Sequence, residues 1–250
     1  MRFTTVFDND AFAPGLVSGW GYSCLVGDDV LFDTGADGRT LLFNMERMGV
    51  KMGRIASVVL SHAHGDHTGG LGALLSTGMR PTVYVPRSFP RRFKADVRSL
   101  TRLVEVEGPM EIQPGIRSTG EMGRGIVEQA LIVETEEGSV VVTGCAHPGI
   151  VNVVRRAREV VQGDLALVMG GFHLGGTGRG RIARIIADLR ECGVLRVGPC
   201  HCTGDRAKQM FADAFGADFL SIGVGRVVPI GSEAVSVRSA EGRGGADADL

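Results

Sequence analysis

The sequence lacks the long apolar runs of a membrane protein and has almost no net charge. No segment approaches the roughly 18 consecutive apolar residues that a membrane-spanning helix requires, and the N-terminal segment MRFTTVFDND does not have the layout of a signal peptide. The 27 Lys and Arg residues balance 28 Asp and Glu residues, leaving a net charge of −1 at pH 7. These absences predict a cytoplasmic protein without a membrane or nucleic-acid partner.

Cysteine and aromatic residues are also scarce. The five cysteines are an odd number, and Cys145, Cys200 and Cys202 lie beside histidines, which favours a reducing compartment over a disulfide framework. Aromatic residues make up 6% of the chain, with a single tryptophan. That residue, Trp20, lies in a glycine-flanked loop, where it either stacks on a flat substrate or packs beneath the loop.

Glycine, by contrast, is abundant at 38 residues, which predicts many short loops around a site on a rigid scaffold. With 250 residues and 44% hydrophobic content, we expect a single domain over residues 1–238 and a frayed tail over 239–250. Hydrophobic periodicity predicts strands over 3–7, 22–26, 30–32, 55–60, 82–85, 103–106, 130–134, 139–143, 165–169, 195–197, 219–224 and 226–230. The same criterion predicts helices over 40–48, 71–75, 89–97, 151–161 and 182–192.

Every histidine of the chain lies at or just after the end of a predicted strand. The densest group is the loop His62-Ala63-His64-Gly65-Asp66-His67. Two histidines two residues apart in extended chain face the same way, whereas Asp66 and His67 begin a helix and face a neighbouring point. Imidazole and carboxylate are zinc ligands, so this loop predicts two adjacent metal sites. The alternative is an ordinary polar turn, but turns favour Asn, Asp and Ser, and three histidines in one turn are not expected.

This loop, together with Asp33-Thr34-Gly35 after the preceding hairpin, resembles the metallo-β-lactamase superfamily of binuclear metal hydrolases. The resemblance implies an α/β fold, a four-layer αββα sandwich in which two mixed sheets pack face to face. It implies that His62 and His64 bind the first metal and that Asp33 braces the metal loops without binding. Asp66, His67 and His201 would belong to the second metal.

The chain departs from the common pattern of that superfamily in two ways. It has no histidine between His67 and His147, and the usual bridging aspartate corresponds to Cys145. By the resemblance, His147 completes the first metal site. Cys145 is then either a bridging thiolate or a small packed thiol.

His173 occupies the position where related transfer-RNA 3′-end nucleases carry a histidine and acid pair. It is therefore a candidate general acid, substrate contact or brace, and the alternative is an ordinary hydrogen-bonded histidine. With Asp66 it forms the candidate catalytic pair. The glycine-rich stretch before the 182–192 helix contains Arg179 and Arg181, which either cradle a phosphate or belong to a solvated connector.

Several short phrases narrow the resemblance to one subgroup. They are Trp20-Gly21-Tyr22-Ser23, Thr143-Gly144-Cys145-Ala146-His147 and Pro199-Cys200-His201-Cys202, and the subgroup includes dihydropterin-transferring synthases of methanopterin-type cofactor synthesis. The resemblance implies a binuclear metal-dependent enzyme for a phosphorylated small molecule, with two divalent ions. Zinc is favoured, with iron or manganese as alternatives. A metal-dependent hydrolase of a phosphoester, thioester or lactone, or a metal-bound ligand sensor, remains open.

Overall fold

Two mixed β-sheets form the centre of the fold in a computed structural model that describes residues 1–231. The first sheet has the order β13-β1-β2-β3-β4-β5-β6, and the second has the order β12-β11-β10-β9-β8-β7. The strands of the first sheet are β1 (Arg2–Phe7), β2 (Ser23–Val26), β3 (Val30–Phe32), β4 (Ser57–Val59), β5 (Thr82–Pro86), β6 (Leu103–Val106) and β13 (Val227–Pro229). Those of the second are β7 (Met110–Gln113), β8 (Ile116–Ser118), β9 (Leu131–Val133), β10 (Ser139–Thr143), β11 (Leu165–Gly171) and β12 (Val197–Cys200).

Helices cover the outer face of each sheet. They are α1 (Gly38–Arg47), α2 (Gly65–Thr68), α3 (Leu71–Ser76), α4 (Arg91–Arg98), α5 (Ile150–Val160), α6 (Arg179–Glu191) and α7 (Asp205–Phe215). Short 3₁₀ turns lie at Met52–Arg54, His201–Thr203 and Gly216–Asp218. Over residues 1–231, no helix combines the length and the apolar character needed to cross a membrane.

Successive side chains of a strand pack into different layers of the fold. On β10, Val140 and Val142 belong to the apolar cluster between the two sheets, whereas Val141 belongs to the cluster beneath the helices α5, α6 and α7. A third cluster joins the first sheet to α1 and α3. Because successive side chains of a strand point to opposite faces, a central strand with both faces covered reads as a continuous apolar run. The four-layer αββα sandwich predicted for this chain is confirmed.

Some sequence-based predictions of individual elements are wrong. The segment predicted as a strand over 219–224 makes only single bridges, from Phe219 to Val197 and from Val224 to Ala11. Gly223 packs closely there, since a Cβ would lie 2.8 Å from the Asp10 carbonyl oxygen. The strands β7 and β8 and the helix α7 were not predicted. The predicted tail over 239–250 lies outside the described residues.

The strand predicted over 195–197 instead spans Val197–Cys200 and includes Pro199. Proline supplies no backbone N–H to a sheet, so it is confined largely to edge strands. β12 is the edge strand of the second sheet. The sequence-based prediction ended this strand before Pro199, because proline is unfavourable in a central strand. The structure continues the strand through Pro199, because β12 lies at the edge of its sheet.

The loops that follow β3, β4, β10, β11 and β12 carry the polar residues of the site. The pairs β3·β4, β10·β11 and β11·β12 are parallel, so their carboxyl ends meet at common edges of the two sheets. Among residues 1–231, four non-glycine residues have a left-handed backbone: Asp33 (φ 56°), Ala146 (φ 57°), His173 (φ 50°) and His201 (φ 49°). All four lie in these loops, where strained backbone is typical of functional sites.

Candidate metal centre

The loop after β4 brings four potential ligands into one place. His62 and His67 are fully buried, and the helix α2 holds Asp66 and His67 at its start. His62 Nε2 lies 3.0 Å from His64 Nδ1. The two side chains predicted to face the same way therefore do so.

A first donor group combines this loop with the end of the second sheet. Single ligand atoms from His62, Cys145 and His147 lie within 4.8 Å of one another. The ring centroid of His64 lies 5.1 Å from that of His147 and 4.6 Å from that of His62. The structure thus brings His62, His64 and His147 together, as the resemblance implied for the first metal.

A second donor group consists of Asp66, His67, Cys145 and His201, whose ligand atoms also lie within 4.8 Å of one another. Asp66 Oδ2 is 3.6 Å from His67 Nε2 and 3.3 Å from His201 Nε2. Cys145 Sγ is 3.3 Å from His67 Nε2. Cys145 belongs to both donor groups.

Hydrogen bonds on the far side of each ring orient the imidazoles. In four histidines the Nδ1 atom meets an oxygen, which leaves Nε2 facing the cluster. The pairs are His62 with Ser61 Oγ at 2.9 Å, His67 with Asp33 Oδ2 at 2.7 Å, His147 with Glu128 Oε2 at 2.9 Å, and His201 with Asn9 Oδ1 at 2.9 Å. Metal-ligating histidines are held by partners of this kind.

The residues present fit divalent cations. His201 Nε2 is buried and makes no hydrogen bond, although it lies 3.3 Å from Asp66 Oδ2. A buried polar atom without a partner is costly, and a cation between the Nε2 atoms would satisfy it. The donors are imidazole nitrogen, carboxylate oxygen and thiol sulfur, which is the ligand chemistry of zinc.

Burial and neighbouring charges shift the pKa values of the histidines and of the carboxylate that braces one of them. Burial raises the pKa of Glu128, but the hydrogen bonds from His147 and from the backbone outweigh burial, so its pKa falls to about 2. Burial lowers the pKa of His67, whereas the adjacent Asp33 carboxylate raises it, with a net upward shift. Burial lowers the pKa of His62 to about 2, so this imidazole stays neutral and free to bind a cation.

Sequence reasoning missed the partners of three of these histidines, namely Ser61, Glu128 and Asn9. Glu128 accepts hydrogen bonds from the backbone N–H groups of Cys145, Ala146 and His147, at 2.8, 2.9 and 2.9 Å. A carboxylate two residues before a predicted buried strand is a signal that could have identified it. Asn9 has no comparable signal, because 192 positions separate it from His201.

Three further predicted residues lie at or near the centre. Trp20 is 63% exposed, and its ring centroid is 5.1 Å from that of His201, so the packing of Trp20 beneath its loop is contradicted. His173 is exposed, with its ring centroid 4.4 Å from that of His147. Arg181 lines a cavity of about 500 Å³ together with His147 and His173. Arg179 does not line it.

The family model of the Metallo-beta-lactamase superfamily matches residues 23–155. This chain belongs to the metallo-β-lactamase superfamily. It is thus a metal-dependent enzyme, and its fold and subgroup agree with the resemblance carried by the His62 to His67 loop.

Two relatives support the subgroup. Over 245 residues the chain is 29% identical to the 7,8-dihydropterin-6-methyl-4-(β-D-ribofuranosyl)-aminobenzene-5′-phosphate synthase of Methanocaldococcus jannaschii, covering 80% of this chain and 83% of that protein. It is 28% identical to a metal-dependent hydrolase of the β-lactamase superfamily whose crystal structure superposes with a TM-score of 0.80, covering 92% and 99% of the two chains. A metallo-β-lactamase fold protein from Bacillus subtilis, 16% identical with a TM-score of 0.68 over 91% and 98%, shares the fold.

Proposed function

We propose that this superfamily member is a binuclear metal-dependent enzyme that acts on a phosphorylated small molecule. Its proposed reaction joins a dihydropterin, through its 6-methyl carbon, to the amine of a ribofuranosylaminobenzene 5′-phosphate. The observation that carries the proposal is the pair of donor groups that share Cys145, beside a cavity that His147 lines together with Arg155 and Arg181. The likeness to the M. jannaschii synthase supports the choice of substrate.

Two cations would be held on either side of Cys145. In this assignment His62, His64 and His147 hold the first, while Asp66, His67 and His201 hold the second. Bound divalent cations supply positive charge that neutralises a departing phosphate or pyrophosphate. The mixed imidazole, carboxylate and thiolate donors favour zinc over the hard cations that prefer oxygen alone.

The neighbouring cavity suits the phosphate of a substrate. Arg155 and Arg181 line it against a single carboxylate, Asp188, and within residues 1–231 neither arginine forms an ion pair. The helix α5 begins at this cavity, which Gly149, Ile150 and Val151 line, and it has no side-chain cap. Its first backbone N–H groups are thus free to join the arginines in binding an anion.

The opposite side of the centre suits a flat ring. Trp20 presents an exposed face beside His201, and offset stacking on an aromatic face is favourable for a planar heterocycle. A pterin held there lies next to the proposed second cation. The phosphate of the acceptor lies at the other end, beside Arg155 and Arg181.

Proton transfer falls to the chain's own side chains. As the bond between the methyl carbon and the pyrophosphate oxygen breaks, a bond forms from that carbon to the acceptor amine nitrogen. The amine then releases a proton, for which His173 is the exposed imidazole beside the cavity. Burial raises the pKa of Asp66, but the adjacent imidazoles of His201 and His67 outweigh burial and lower it. Asp66 is therefore a carboxylate, as a ligand of the second cation must be.

Hydrolysis is a second candidate, because the relative with a TM-score of 0.80 is described as a metal-dependent hydrolase. The same residues would then bind a phosphoester, with water in place of the amine as the nucleophile. The two reactions differ in one requirement. Transfer needs the acceptor, whereas hydrolysis does not.

Pyrophosphate release from dihydropterin methyl pyrophosphate tests the proposal. Zinc-loaded protein is incubated with and without ribofuranosylaminobenzene 5′-phosphate, and the joined product is sought by mass spectrometry. Release that requires the acceptor and yields the joined product supports the synthase. Release without the acceptor supports the hydrolase, and no release in either case overturns dihydropterin methyl pyrophosphate as the substrate.

A further inference from the structure

A third donor group lies beside the two already described. One ligand atom each from Cys145, His173 and Cys202 lies within 4.8 Å of the others. Cys202 Sγ also contacts the carbonyl oxygen of Cys145 at 3.7 Å. The two-cation assignment leaves both His173 and Cys202 without a metal.

The three donors come from the ends of three neighbouring parallel strands. Thr143 of β10 pairs with Gly170 of β11, and Gly171 of β11 pairs with Cys200 of β12. Cys145, His173 and Cys202 each lie two residues beyond the last paired residue of their own strand. The parallel register therefore brings these three side chains to one edge of the second sheet.

The backbone is shaped to let the two thiols approach each other. A Cβ on Gly171 would lie 2.8 Å from Cys202 Sγ and 3.2 Å from the Cα of Cys145, so a larger residue there would separate them. His173 has a left-handed backbone with φ 50°. Such a conformation in a residue other than glycine persists where the surroundings compensate for it, and it is concentrated at binding sites.

We propose that Cys145, His173 and Cys202 form a third cation subsite, which takes a thiophilic divalent ion such as Zn²⁺. Two thiolates and one imidazole are the protein ligands of zinc sites that keep a fourth position open. His173 and His147 together line two cavities, so the open position is accessible from them. Hard cations that require oxygen ligands are excluded from this donor set.

Occupation of this subsite has a consequence for the reaction, and that consequence rests on the proposed function. A ring nitrogen of His173 that binds a cation cannot accept a proton. Excess zinc is therefore expected to inhibit turnover, and Cys202→Ser should relieve the inhibition. The cation content of the subsite does not depend on which substrate the enzyme uses.

Zinc content and zinc–sulfur coordination test the subsite directly. Wild type, Cys202→Ser and Cys192→Ser are loaded with Zn²⁺ in a thiol-free reductant, desalted, and measured by metal analysis and X-ray absorption. Zinc–sulfur contacts near 2.3 Å are separable from zinc–nitrogen contacts at about 2.0 to 2.1 Å. Cys192 is a matched control, because it ends α6 and is not a member of the donor group.

The expected result is that Cys202→Ser binds one zinc fewer than wild type, with a smaller sulfur shell, while Cys192→Ser matches wild type. His173→Ala, at an exposed side chain, provides a second variant should Cys202→Ser fail to fold, and it should also lose one zinc. Wild-type zinc content and sulfur shell in both variants would overturn the subsite. Loss of zinc in a protein inactive on every substrate tried would retain the subsite and overturn only the proposed function.

Discussion

At the scale of the residue, the centre depends on which ring nitrogen each histidine presents. Asp33, Glu128 and Asn9 each place a side-chain oxygen 2.7 to 2.9 Å from the Nδ1 atom of one histidine. Nε2 is thereby left for the cluster, where one such atom has no other partner. These carboxylates and this amide bind no proposed cation themselves. Because they orient the histidine ligands, they also affect the affinity of the centre for its cations.

Glu128→Gln should weaken zinc binding about 10- to 100-fold, because the amide replaces one of the carboxylate oxygens that hold His147 and the backbone before it. Zinc affinity is measured by competition with a chelator. Glu134→Gln is the matched control, since Glu134 is exposed and pairs with Arg117 at 3.0 Å. Equal affinity in Glu128→Gln and wild type would show that this carboxylate does not orient a ligand.

Arg181→Gln should raise the KM for a phosphorylated substrate about tenfold and leave kcat nearly unchanged, since a hydrogen bond to a charged group is worth about 1.5 to 3 kcal/mol. Steady-state kinetics of the reaction identified by the pyrophosphate assay give both constants. Arg179→Gln, on the same helix but away from the cavity, should retain the wild-type KM. A similar KM increase in both variants would indicate a general loss of positive charge.

At the scale of the element, short helices depend on their ends as well as on packing. Asp37 precedes α1, where its carboxylate accepts hydrogen bonds from the backbone N–H of Arg39 at 3.3 Å and of Thr40 at 2.8 Å. The packing of α1 against α3 is close, because a Cβ on Gly38 would lie 2.3 Å from the Cβ of Ala73. Both features fix the start of α1, which directly follows the loop that contains Asp33.

Asp37→Ala should lower the free energy of unfolding by about 1 kcal/mol at neutral pH, the usual value of an N-cap. The hydrogen bonds from Thr40 lower the pKa of Asp37 from its ordinary value of 3.8. The charged cap therefore contributes fully above pH 3.8, and its contribution is lost as pH falls through the lowered pKa. Urea unfolding of metal-free wild type and variant should show a gap that narrows in acid.

Asp37→Asn is the control for this experiment, because asparagine retains the capping oxygen and removes the titrating charge. Its stability difference from Asp37→Ala should change little with pH. A gap between wild type and Asp37→Ala that widens in acid would contradict the assignment of the pH dependence to the cap.

At the scale of the whole molecule, the two ends of the described chain close one sheet. β1 pairs with β13, with Phe3 opposite Val228, and the N-terminal amine of Met1 donates to the Ile230 carbonyl at 2.8 Å. Asn9, just after β1, holds His201, just after β12. The centre therefore combines a residue that follows the first strand with one that follows β12, 192 positions later.

Val228→Ala should lower the free energy of unfolding by about 2 kcal/mol, because Val228 is 4% exposed and lies between the sheets. Val227, its neighbour on β13, is 42% exposed. Val227→Ala should change stability by less than about 0.5 kcal/mol. Chemical denaturation measures both, and equal losses would show that β13 does not contribute to the core as the alternation requires.

Several features could be predicted from the sequence because they depend on short-range patterns. The strands Val30–Phe32, Leu103–Val106 and Ser139–Thr143 agree with their predicted bounds, since alternating or β-branched runs between turn residues need no distant partner. Strands such as Met110–Gln113 carry Glu111 and Gln113. They form by pairing with neighbours across the second sheet, which local composition does not report.

The sequence by itself determined the ligand-rich loop from His62 to His67, because ligand spacing is a local property of a chain, and the resemblance that this loop carries implied the superfamily and the layered fold. Only the tertiary structure decided that Cys145 lies between two donor groups, that Trp20 is exposed beside His201 and that Glu128 and Asn9 brace the histidines. These facts depend on contacts between residues up to 192 positions apart. Such contacts exist only after the two sheets pack, since packing alone fixes which side chains meet at their common edge.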